Sequence, residues 1–90
     1  MHAVEALEQA VELAKRAGFR VRQEWLGGAG GGLCEIQGRK YLFLDLALGP
    51  VEQLEIIASA LKSDPEVASI PMSQDLREWI GPAHGNPRAA

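Results

Sequence analysis

The sequence predicts an α+β domain: a helix, a three-stranded antiparallel meander and a second helix (αβββα), plus a short C-terminal helix. Three observations carry that expectation. Residues 4–17 repeat apolar side chains at helical spacing, three short segments between 19 and 48 have strand patterning broken by glycines, and residues 50–61 return to helical spacing. Connections this short favour antiparallel neighbours, with both helices on one face of the sheet.

In the first helix Val4, Leu7, Val11 and Ala14 fall on one side, while Glu5, Glu8, Glu12, Lys15 and Arg16 collect on the other. Gly18 supplies its stop. Phe19 to Leu26 alternates with period two, as a half-buried strand should. The run Gly27-Gly28-Ala29-Gly30-Gly31-Gly32 reads as a flexible connection between strands. Leu33 to Gln37 forms the second strand, Gly38-Arg39 a turn, and Tyr41 to Leu48 the third. Gly49-Pro50 breaks that strand and sets proline in the first turn of the second helix, where its missing donor does no harm. Val51, Leu54, Ile57, Ala58 and Leu61 share one face of it. Asp64-Pro65 is a cap and first turn, and Ser73 caps a last helix through Asp75, Leu76, Trp79 and Ile80, closed by Gly81-Pro82. One domain over residues 1–82 is expected, with 83–90 a disordered tail of small and polar residues.

This order resembles that of the double-stranded-RNA-binding domain, in topology and over about this length. That family grips RNA through its first helix, the loop between its first two strands and a lysine-rich start to its second helix. The corresponding places here hold Glu5, Glu8 and Glu12, an uncharged glycine loop, and Glu52 and Glu55, so the RNA-binding chemistry is absent from them. Composition agrees: a net charge of −3 and a pI near 5.3 oppose broad phosphate-backbone binding, and no nucleic-acid partner is expected. The single cysteine, Cys34, excludes an intrachain disulfide and suits a reducing compartment. The acidic helical start lacks the pattern of a secretory leader, and no apolar run approaches membrane-spanning length, so the expectation is a soluble cytoplasmic protein with no membrane contact.

Catalytic chemistry is hard to assemble from these residues. A glycine-rich loop holds phosphate when its amides open into a helix with Lys and Ser/Thr close behind; here the strand Leu33-Cys34-Glu35-Ile36 follows. Cys34 has no His, Lys or Arg beside it on its strand face to stabilise a thiolate, and is expected to be a small buried hydrophobe. His2 and His84 lie near opposite termini without ligand spacing to Cys34, so no metal is expected. Met72, Trp25 and Trp79 are expected as core or interface anchors rather than cofactor contacts, and no cofactor is implied. Asp45 interrupts the most apolar strand, where desolvation would raise its pKa toward proton transfer; near the strand end, beside the glycine loop, it would instead meet water or a backbone donor.

Two surfaces remain. The turn at Gly38-Arg39 sets Gln37 opposite Lys40, Ile36 opposite Tyr41 and Cys34 opposite Phe43. One sheet face then carries Leu42, Leu44, Leu46 and Leu48, and the other Cys34, Ile36, Tyr41 and Phe43. Two helices cover only one of these faces. The other calls for the C-terminal segment, a second copy of the chain, or a partner protein. Leu13 and Ile56, each off the main apolar face of its helix, add to the case for an intermolecular contact. Tyr41, Phe43, Ile56, Leu76 and Trp79 are the candidate interface. Lys15, Arg16, Arg20, Arg39 and Lys40 meet at one pole of the meander, where they can hold a small anion or an acidic peptide. The expected function is a non-enzymatic interaction or assembly module, as a homodimer or with a protein partner, and the alternative is a sensor of a small anionic ligand.

Overall fold

The computed structural model describes residues 2–80. Its elements are α1 (Ala3–Arg16), β1 (Arg20–Glu24), β2 (Gly31–Ile36), β3 (Arg39–Asp45), α2 (Pro50–Lys62), a 3-10 turn at Pro65–Ser69, and α3 (Gln74–Ile80). The α+β class and the αβββα order with a short final helix hold. The expected closure of α3 by Gly81-Pro82 and the tail 83–90 lie outside the described residues.

The meander does not hold. The sheet is mixed, in the order β1-β3-β2, with β1 parallel and β2 antiparallel to a central β3. Burial explains the arrangement. β3 carries Leu42 and Leu44, both fully buried, whereas β1 reads Arg-Val-Arg-Gln-Glu and β2 opens on two glycines. The most apolar strand takes the position with a neighbour on each side, and the polar and glycine-rich strands become edges. A six-residue loop, residues 25–30, makes this order reachable. It must step over one strand, about 10 Å, well within the reach of an extended chain of that length. The likeness to the double-stranded-RNA-binding domain ends at the order of elements along the chain, because three sequentially adjacent antiparallel strands are not present.

The hairpin turn lies one residue earlier than expected, which slides the pairing by two residues and leaves every side chain on its expected face. The turn is Gln37-Gly38, both with positive φ (50° and 80°), so Ile36 pairs with Arg39, Cys34 with Tyr41 and Leu33 with Leu42. Two left-handed residues give a turn whose twist matches the strands it joins, a conformation open to glycine and tolerated by Gln37. A turn at Gly38-Arg39 would have required the same conformation of Arg39.

Helices α1 and α2 lie side by side over Leu42 and Leu44. The buried residues of α1 are Ala6, Leu7, Ala10, Leu13 and Ala14, continued by Ala17, while Val4 is exposed. This face is rotated from the expected one. A ladder of alanines lets α2 approach closely, and Leu13 fills the core rather than a contact with another molecule. In α2, Leu54, Ile57, Ala58 and Leu61 are buried as expected and Val51 is exposed. Pro50 sits in its first turn, and the Glu52 carboxylate accepts a bond from the Gly49 N–H. The Ser73 hydroxyl caps α3 by accepting from Leu76 N–H at 3.1 Å. Helix α3 packs on α1 and α2, not on the sheet.

Candidate functional site

The outer sheet face is built from alternate residues of three strands. Tyr41 and Phe43 stand on β3 with ring centroids 6.1 Å apart and planes 16° from parallel. Their paired neighbours are Arg20 and Arg22 on β1 and Cys34 and Gly32 on β2, and Ile36 and Arg39 close the row at the hairpin. The expectation that Tyr41 and Phe43 share a face with Cys34 and Ile36 is met. The helices occupy the opposite face, and α3 lies beyond them, so no described element covers the outer one. Cys34 is therefore exposed, not buried as expected, because it sits on an edge strand under an open face.

The remaining members of the candidate interface lie elsewhere. Leu76 is buried between α3 and the other helices, and Ile56 packs against the core beside the glycine loop. Trp79, at the end of α3, borders a groove of about 560 Å³ against α2 with Val51, Leu54 and Lys62. These five residues form no single surface. Arg22, which sequence reasoning passed over, belongs to the outer face instead; its guanidinium lies 2.7 Å from the Glu24 carboxylate. Period-two counting from Phe19 would have placed it there, had β1 been paired with β3.

Asp45 ends β3 directly beneath the crossing loop. Its Oδ1 accepts from Leu26 N–H at 3.0 Å and Ala47 N–H at 2.9 Å, and its Oδ2 from Gly28 N–H at 2.7 Å and Gly30 N–H at 3.0 Å. Burial by itself raises the carboxyl's pKa, but bonds from Gly30, Ala47, Leu26 and Gly28 outweigh it and hold the group below its ordinary value. Of the two readings of Asp45, the one with backbone donors beside the glycine loop holds and the upward shift does not, so the carboxyl is an anion near neutrality. It is also the occupant of the glycine loop. The amides that might have gripped a phosphate are committed to a carboxylate of the same chain. Gly31 completes the crossing. Its φ is +91°, and a Cβ built on it would meet the Phe43 carbonyl carbon at 2.7 Å. Glu35 pairs with Lys40 at the far end of β3 from Asp45, so the two acids do not meet.

The basic residues do gather at one pole, since α1 ends where β1 and β3 both begin. Lys15, Arg16, Arg20 and Arg39 are exposed there. Lys40 is half-buried and committed to partners. Its ammonium lies 2.5 Å from Asp64 Oδ2, donates to the Ala17 carbonyl at 2.9 Å, and sits 4.5 Å from the centre of the Phe19 ring. Asp64 also accepts from Glu66 N–H at 2.9 Å, so this pair ties β3 to the ends of both long helices. Among the described residues no group of three or more His, Cys, Asp or Glu side chains is placed to hold a metal ion, and no helix is long and apolar enough to cross a membrane. Trp25 is exposed in the crossing loop and Met72 packs on the core.

Comparison of the chain with protein-family models, with curated proteins and with solved structures gives no match.

Proposed function

We propose that this chain is a non-enzymatic interaction module that docks a partner protein on the outer face of its sheet. The observation that carries this reading is the stacked Tyr41–Phe43 pair at the middle of a face over which no described element lies, on the same strand that buries Leu42 and Leu44 on its other side. Aromatic pairs flanked by arginine are the kind of group that dominates interface energetics.

Charge narrows the partner. Arg20, Arg22 and Arg39 surround the pair with Glu24 as the acid among them, in a chain whose net charge is −3. A complementary surface presents an apolar group to the rings and carboxylates to the rim. Two copies packed through this face would oppose arginine to arginine, which disfavours self-association by this route. The test is affinity capture with the intact chain, Phe43→Glu and Arg22→Glu. A protein retained by the parent, lost from both variants and released by salt supports the reading, provided that the variants unfold at the parent's temperature. Equal retention by all three removes it.

A second reading rests on the four exposed cations Lys15, Arg16, Arg20 and Arg39 at one pole, which can hold a small anion. Thermal shifts with nucleotides and sugar phosphates test it, and a flat response across the panel discards it.

A further inference from the structure

The free edges of the sheet are unlike each other. β1 is guarded by Arg20, Arg22 and Glu24. β2 has no Lys, Arg, Pro or bulge and a single charge, Glu35, against three on β1, and its pairing with β3 runs unbroken from Gly31 to Ile36. It is also where apolar side chains stand in water, with Leu33 52% and Ile36 44% exposed. Unguarded edges of this kind are what native folds avoid unless the edge is paired.

The hairpin dictates which groups β2 offers. A two-residue turn makes Ile36 and Arg39 a hydrogen-bonded pair, so Cys34 and Gly32 also aim their N–H and C=O at β3. Leu33 and Glu35 aim theirs outward. Below that edge, on the helix side, two grooves of about 340 and 290 Å³ share Leu33, Ala60 and Ser63 and so form one trough between β2 and α2. The sheet is one strand too narrow for the helix it supports.

We propose that β2 pairs antiparallel with β2 of a second copy, about a two-fold axis at Leu33, joining the two sheets into one of six strands. Outward-facing groups alternate, so only odd positions can bond to odd positions. An axis at Glu35 would set the two carboxylates against each other, and one at Cys34, which also bonds odd positions to odd, would set each Leu33 against a Glu35 carboxylate. An axis at Leu33 sets Glu35 opposite Gly31 and Cys34 opposite Gly32, and brings the two Leu33 side chains together over the trough. β2 is glycine in its first third and bulky in the rest, and an antiparallel copy places the larger residues against the glycines. That self-complementarity points to a second copy rather than a different protein. The contact is independent of the docking face proposed above, and it would set two Tyr41–Phe43 pairs on one continuous surface.

Cysteine cross-linking of the full chain tests both contact and register. At the axis the two Cα atoms at position 33 lie about 5.5 Å apart, within disulfide range. Leu33→Cys in a Cys34→Ser background is therefore expected to give a disulfide dimer under mild oxidation. Ile36→Cys in the same background, opposite Gly30 and three positions from the axis, would lie about 20 Å from its counterpart and should not cross-link. Light scattering over a dilution series should show the parent as a dimer and Glu35→Pro, which removes an outward N–H without touching the β3 ladder, as a monomer. Leu33→Lys serves the same purpose if the proline variant does not fold. Phe43→Glu should leave the dimer intact, which separates this contact from the docking face. A parent that is monomeric throughout the series, or Ile36→Cys cross-linking as readily as Leu33→Cys, overturns the proposal.

Discussion

Gly28 and Gly31 offer a matched test of how the crossing loop is built. Their backbone φ values are nearly identical, +89° and +91°, and both lie where an L side chain is disfavoured, at a cost of about 1–2 kcal/mol for alanine. Their surroundings differ. A Cβ on Gly28 meets nothing within 4 Å, whereas one on Gly31 meets the Phe43 carbonyl carbon at 2.7 Å. Relief of that overlap requires β2 to back away from β3 at its first rung, or the Asp45 end of β3 to shift under the loop. Forcing side chain and backbone apart in a close-packed site adds about 1–3 kcal/mol. For a chain of 90 residues about 1 kcal/mol lowers the melting temperature by about 4–8 °C. Gly28→Ala should then melt about 4–16 °C below the parent, and Gly31→Ala about 8–40 °C below it, at the upper end failing to fold at all. Thermal unfolding followed by circular dichroism measures both, with urea unfolding as a check on cooperativity. Equal losses for the two variants would refute the claim that the first residue of β2 is pressed against β3.

Alternation on β3 predicts that Leu42→Ala costs about 2–5 kcal/mol and Tyr41→Ala about 1 kcal/mol or less, measured by urea unfolding, because only Leu42 leaves a cavity between sheet and helices. Lys40→Met should cost about 1–3 kcal/mol, since it removes the charge 2.5 Å from Asp64 and the bond to the Ala17 carbonyl; combined with Asp64→Asn it should cost less than the sum of the two single changes. Asp45 sets an acid limit. Its carboxyl titrates lower in the folded chain than its ordinary 3.8, so the stability that it supplies is complete above that value and is lost as pH falls through the lower, folded-state value. Asp45→Asn should therefore be less stable at neutral pH, with a melting temperature that no longer falls through that acid window on this account.

Much of the chain announced itself through local chemistry. Gly18, Gly49-Pro50, Asp64-Pro65 and Ser73 are punctuation with a single meaning, and each marks the boundary that its residues imply. What failed was non-local. The face of α1 is less legible because alanine is weakly hydrophobic: Val4 outweighs Ala6 and Ala10 in the sequence pattern, although close approach of α2 selects the small residues. Short connections favour a meander, but burial of the most apolar strand decides the sheet order. A six-residue glycine loop is longer than a hairpin needs, and an aspartate at the end of an apolar strand signals that backbone donors will gather there. The pole of cations was legible, but the withdrawal of Lys40 from it was not, since Asp64 lies 24 positions away.

The parallel pairing of β1 with β3 also sets an order of events during folding. β2 and β3 are joined by a two-residue turn and can zip together locally, whereas β1 must wait for a partner about twenty residues downstream, and its place is secured only when Leu26, Gly28 and Gly30 settle on Asp45. The strand that leaves the ribosome first is thus the last to find its neighbour. Until then α1 and β1 have no sheet to cover, and β3 carries an open edge on the side that β1 will take. Substitutions at Gln37-Gly38 should slow refolding, while those in β1 should chiefly hasten unfolding, which stopped-flow measurements on the two sets of variants would separate.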